Sequence, residues 1–259
     1  MIRRAGKITG MTDLAGNLRA VRARIDTAAR AAGREPASVA LLAVSKTWPA
    51  DDVRALAALG QLDFGENRAQ ELLSKAGELS DLPLRWHFIG QLQRNKAAAV
   101  ARLGAVVHTV DRPSLARTLD RTGQEGTPVD VLVQVDLGGA AGQIADRGGA
   151  APDDVPALAD LVASCTGLRL RGLMAVAPRG EDPGPAFERL AALAERVRGD
   201  HPGAAELSAG MSADLEAAVA AGATVVRVGT ALFGARPLAS GKTTRVTPVT
   251  ETPPTTAGA

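Results

Sequence analysis

Three stretches of this sequence carry side chains whose types and spacing could do chemistry: LLAVSKTWP at 41–49, LSAGMS at 207–212 and VVRVGT at 225–230. In the first, an apolar run leads into Ser45, Lys46 and Thr47 and stops at Trp48-Pro49, as a buried strand does on emerging at a loop. A lysine there is costly to desolvate. On this stretch alone it reads as a side chain that snorkels to solvent. Its amine is also the nucleophile that captures an aldehyde as a Schiff base. The other two stretches set Ser208, Met211, Ser212, Gly229 and Thr230 at strand ends, where small residues, hydroxyls and backbone N–H groups can cradle a phosphate. Arg227, flanked by Val225, Val226 and Val228, would be an inward guanidinium in need of a partner. An amine across from a phosphate site suits a phosphorylated aldehyde, and pyridoxal 5′-phosphate is the candidate.

Those residues need a frame that brings strand ends together. Short, largely apolar strands are expected at 39–47, 62–67, 85–90, 106–111, 129–137, 168–176, 205–210 and 224–232. Helical patterns rich in Ala, Leu, Arg and Glu lie between them, for example at 52–58, 112–122, 186–198 and 212–221, and an earlier helix is expected at 14–32. Strands alternating with helices imply βαβ units and a parallel sheet. Eight of them predict an α/β fold, a single (β/α)8 TIM-type barrel preceded by an N-terminal helix, with its site at the C-terminal strand ends. A doubly wound open sheet is the alternative, weakened because no GxGxxG follows any strand. The Gly/Ala-rich 138–151 reads as a mobile loop, 1–11 and the Thr/Pro-rich 239–259 as disordered, and 12–238 as the barrel.

Composition narrows the function. The net charge is +2 over 259 residues, with acids and bases interspersed, and aromatic residues make up 2% with no tyrosine. Neither a nucleic-acid stripe nor stacking platforms stand out. No apolar run approaches the roughly 18 residues of a membrane span. The single Cys165 allows no internal disulfide and fits a reducing, cytoplasmic setting. Three scattered histidines argue against a metal centre. His87 reads first as a satisfied core histidine, and His108 and His201 as structural or exposed. Singly, each motif has a plainer reading. Ser212 could cap the helix that follows, and Asn67 could be a strand-end turn residue.

Together, AVSKTWP, DFGENRAQE, WHFIGQLQRNK, LRLRGLMAV and LSAGMSADLEAAVAAGATVVRVGTALFGAR closely resemble the YggS/PROSC family of pyridoxal phosphate homeostasis proteins, in order and spacing from about Leu14 to Arg236. The resemblance implies a barrel similar to the N-terminal domain of alanine racemase (fold-type III), holding the cofactor on Lys46 without enzymatic turnover. It also implies Ser208, Gly229 and Thr230 around the phosphate, Arg227 facing the pyridine nitrogen, and Asn67 near the cofactor. The expected partners are the cofactor itself and apo forms of enzymes that use it, with the chain a monomer. A partly buried Lys46 beside Arg227 is expected, since desolvation and like charge favour the reactive neutral amine.

Two departures concern release rather than anchoring. Many relatives carry a lysine two positions after the Schiff-base lysine, where this chain has Trp48, and a Lys-Ser-Gly-like element where it has Asp146-Arg147-Gly148-Gly149. The competing reading is an amino-acid racemase, which needs an acid–base group on each face of the substrate carbon. In alanine racemases the group opposite the lysine is a tyrosine from a C-terminal domain. This chain has no tyrosine, and the stretch after Arg236 is expected to be too short for that domain. His87 would be the residue to suspect as a substitute.

Overall fold

The computed structural model describes residues 13–138 and 148–234. In chain order the elements are α1 (Leu14–Ala31), β1 (Ala40–Val44), α2 (Ala50–Ala58), β2 (Asp63–Glu66), α3 (Ala69–Glu78), β3 (Arg85–Phe88), α4 (Arg94–Arg102) and β4 (Val106–Val110). There follow α5 (Pro113–Gln124), β5 (Val129–Val135), α6 (Val155–Ser164), β6 (Leu168–Ala175), α7 (Pro183–Asp200), β7 (Glu206–Ser208), α8 (Leu215–Ala220), β8 (Val225–Val228) and α9 (Thr230–Phe233). Neighbours in sequence pair in parallel, and β1 pairs with β8 to close the barrel. This is the expected (β/α)8 architecture. The segments 1–11 and 239–259 and most of 138–151 lie outside the described residues. Among the described residues, no helix is long and apolar enough to cross a membrane.

Strand alternation sorts the side chains into two shells. Leu41 and Ala43, Trp86 and Phe88, Val131 and Val133, and Val226 and Val228 join the helices in one apolar layer. Their strand neighbours Leu42, His87, Leu132 and Arg227 do not belong to that layer, which leaves them the barrel interior. The helix α1 closes the set from outside. Leu18, Val21, Ile25 and Ala28 give it a buried face, and Asp13 caps it by accepting from the Gly16 N–H at 2.8 Å.

Two of the boundaries that differ from expectation bear on the strand ends. The strand predicted at 224–232 stops at Val228, and Thr230–Phe233 forms a single helical turn. An apolar run cannot say by itself whether it is strand or helix, and Leu232 and Phe233 are fully buried either way. The helix predicted from Ser212 begins only at Leu215. A turn occupies the interval, with the Met211 N–H donating to Asp214 Oδ1 and the Asp214 N–H to the Met211 carbonyl.

Candidate functional site

Lys46 sits on the turn that leaves β1 and is exposed. The partly buried position expected for it is not what the fold provides, because it stands on a turn just past the last residue of β1. Lys46 lines a cleft of about 330 Å³ at the C-terminal strand ends, together with Val44, Trp48, Ile89, Met211 and Ser212. Ala213, Arg227, Gly229, Thr230 and Gly234 complete its wall. Sites for small molecules span about 300–1,000 Å³, so the cleft has room for a ligand of cofactor size. Trp48 forms a wall by stacking on Phe233, with ring centroids 5.6 Å apart and planes at 18°. Ser212 does not cap α8. Its hydroxyl accepts from the Ala231 N–H at 3.3 Å and so ties the loop after β7 to the first turn of α9.

Two glycines let the strand ends approach. A Cβ on Gly90 would stand 2.0 Å from the Asn67 carbonyl, so the exits of β2 and β3 touch through backbone. Gly210 has φ +86, and its Cβ would meet the Ala218 side chain at 2.6 Å. Only glycine fits a turn of that shape at no cost.

Arg227 reaches the cleft from below. It is 4% exposed, and its Nη1 donates to Ser208 Oγ at 2.8 Å while Nη2 donates to the Ala175 carbonyl at 2.8 Å. Burial brings the guanidinium down to about 10, against the pull of Asp214, so it stays charged at neutral pH. Ser208 is itself within reach of His108 Nδ1 at 3.0 Å, His108 Nε2 of His87 Nδ1 at 2.9 Å, and His87 Nε2 of Asp63 Oδ1 at 3.1 Å. One assignment of protons satisfies the whole row. Ser208 Oγ accepts from Arg227 and has a single proton to give, which goes to His108 Nδ1. His108 then carries its proton on Nε2 and donates to His87, which donates from Nε2 to Asp63. His108 is neutral in this arrangement. Burial first, then the electrostatic influence of the neighbouring His87 and Arg227, holds His108 well below the usual histidine range. Burial pushes the Asp63 carboxyl up, but bonds from His87 and Arg85 outweigh it and bring it to about 2.

The structure thus brings Lys46, Met211, Ser212, Arg227, Gly229 and Thr230 to one cleft. Two expected residues are not among those lining it. Ser208 is fully buried, and its hydroxyl is engaged by Arg227 and His108. Asn67 meets Gly90 through its backbone, as a strand-end residue. The row through His87 and His108 went unread in sequence. Its signal was the alternation Trp86-His87-Phe88, which turns the imidazole inward when its neighbours face out. Ser208→Ala should strand two buried polar groups, Arg227 Nη1 and His108 Nδ1, at a cost of about 1–3 kcal/mol each. Urea denaturation should show the loss, while preference for a phosphorylated ligand stays as in the parent. A variant of unchanged stability would contradict the row.

Fold and cleft together define a barrel of the alanine racemase class: a family model described as the alanine racemase N-terminal domain matches residues 16–237. The pyridoxal phosphate homeostasis protein of Pseudomonas aeruginosa is 49% identical over 227 residues, spanning 87% of this chain and 97% of its own. That of Escherichia coli K12 is 41% identical over 233 residues, spanning 87% and 98%. Among solved structures, PipY of Synechococcus elongatus PCC7942 with PLP bound superposes at a TM-score of 0.75 and 37% identity, spanning 86% of this chain and all of that one (100%). The chain belongs to the family of pyridoxal phosphate homeostasis proteins.

Proposed function

We propose that this chain binds pyridoxal 5′-phosphate on Lys46 and acts as a carrier and buffer that loads apo-enzymes in the cytoplasm, working as a monomer. The observation that carries this reading is the convergence of one amine, one buried guanidinium and the small residues of two strand exits on a single cleft. The cofactor supplies an aldehyde, which a lysine amine captures reversibly, and a phosphate. Lys46 provides that amine. Arg227, fixed by Ser208 and Ala175, presents a permanently charged donor to whatever faces it. Thr230 and Ser212 offer hydroxyls, and Gly229, Thr230 and Ser212 offer backbone, to an anion. Trp48 and Ile89 exclude water from the sides.

The same residues argue for holding and against turnover. Racemisation needs a second acid–base group opposite the amine. His87, the suspected substitute, is bonded to His108 and Asp63 inside the barrel and is not among the cleft-lining residues. The sequence contains no tyrosine. Prolonged incubation with single-enantiomer alanine, and with a panel of other amino acids, should therefore leave chirality and composition unchanged. Turnover that disappears in Lys46→Ala would promote the racemase reading over the carrier.

A further inference from the structure

The turn that carries Lys46 is held from behind by a compact ionic cluster. Ser45 Oγ donates to Glu66 Oε1 at 2.7 Å, the Ser45 carbonyl accepts from Lys75 Nζ at 2.7 Å, and the Thr47 N–H donates to Glu71 Oε1 at 2.5 Å. Lys75 Nζ also donates to Glu66 Oε1 at 2.6 Å and to Glu71 Oε1 at 2.7 Å. Its three protons are all committed. Glu66 is 0% and Lys75 5% exposed. Burial raises the Glu66 carboxyl against the bonds from Lys75 and Ser45. Thr47 has φ 69, the single positive φ outside glycine among the described residues, in a region that β-branched side chains disfavour.

We infer that Glu66, Glu71 and Lys75 are positioning residues for Lys46, gripping the residue on each side of it so that its amine faces the cleft. The inference rests on the reading of Lys46 as the aldehyde-capturing amine. Geometry gives the reason. A flexible exposed lysine on a free turn would spend most of its time elsewhere, and orientation is a large part of the rate of an intramolecular capture. A plain staple between β1, β2 and α3 could be apolar and would avoid desolvating three ionisable groups. This cluster instead spends its bonds on Ser45 and Thr47, and keeps Thr47 in a conformation that needs outside support. DFGENRAQELLSK is thereby explained as a unit. Glu66 ends the strand, while Glu71 and Lys75 are one helical turn apart on α3.

The test compares Glu71→Ala and Lys75→Met with the parent, with Glu71→Gln as the conservative variant that keeps an acceptor for Thr47. Glu71 is part-exposed, with 21% of its side chain accessible, so Glu71→Ala should fold even if Lys75→Met does not. Hydrogen exchange at the Thr47 amide, read without any ligand, should speed up in Glu71→Ala and return towards the parent in Glu71→Gln. The rate at which pyridoxal 5′-phosphate becomes fixable to Lys46 by borohydride should fall about tenfold or more in Glu71→Ala. Methylation of Lys46 by formaldehyde and cyanoborohydride, relative to exposed Lys96, should not fall, since that reaction needs no aim. Capture at the parental rate in Glu71→Ala, with Thr47 exchange accelerated, would overturn the inference. A parent that yields no adduct on Lys46 would instead overturn the reading of Lys46 itself, and the inference with it.

Discussion

Lys46→Ala protein should be colourless, and borohydride should fix no cofactor to the peptide spanning the β1 exit, whereas the purified parent should be yellow and yield that adduct. This is the largest effect expected of any single change. Lys46 is the one lysine among the described residues that line the cleft, so none of those offers a second amine to replace it. Its side chain is exposed on a turn, and surface substitutions of that kind usually move stability by only about 0.5 kcal/mol. Loss of the band can therefore be read as loss of chemistry and not of fold, and an unchanged melting temperature is the control. The same visible band and the same reduced adduct in Lys46→Ala would end the assignment.

Pyridoxal lacking its phosphate should bind at least about a hundredfold more weakly than pyridoxal 5′-phosphate. A hydrogen bond to a charged group contributes about 1.5–3 kcal/mol, and each 1.4 kcal/mol or so is tenfold in affinity, so two such bonds suffice. The donors available are the Thr230 hydroxyl and backbone N–H groups at the exits of β7 and β8. Gly229 matters for space and not for conformation. Its backbone at φ −116 is open to any residue, but a Cβ there would sit 3.2 Å from the Val44 carbonyl, at the cleft wall. Gly229→Val should accordingly cost affinity for the phosphorylated form. Equal affinities of the two ligands in a direct titration would remove the cradle.

Much of this was legible in the residues. Eight apolar runs separated by helical periods specify the closed barrel, because parallel strands buried on both faces read as near-continuous apolar segments. Lys46, Arg227, Gly229 and Thr230 stood out because each is an unusual choice at a strand end. Ser208 was legible as a strand-end hydroxyl, but its bonds to Arg227 and His108 were not, because only register decides whether it meets the mouth or the strands beside it. Glu66 and Lys75 bond at 2.6 Å but are nine positions apart across a strand-to-helix corner, where no period links them. His87 and His108 come from neighbouring strands, and nothing local to either pairs it with the other. The helical turn at Thr230–Phe233 was read as strand because burial, common to both, was the dominant signal.

Trp48 has a consequence for unloading. It leans on Phe233, the last residue of the one-turn helix that begins at Thr230. The indole at the cleft wall and Thr230, proposed above as a phosphate contact, are thus joined through one short helical turn. Swinging the indole aside forfeits the stacked pair, worth about 0.5–1.5 kcal/mol, and tugs on the far end of that turn. On the proposed reading of Thr230 as a phosphate contact, letting go of the cargo's tail and opening a way out for it would be mechanically one act.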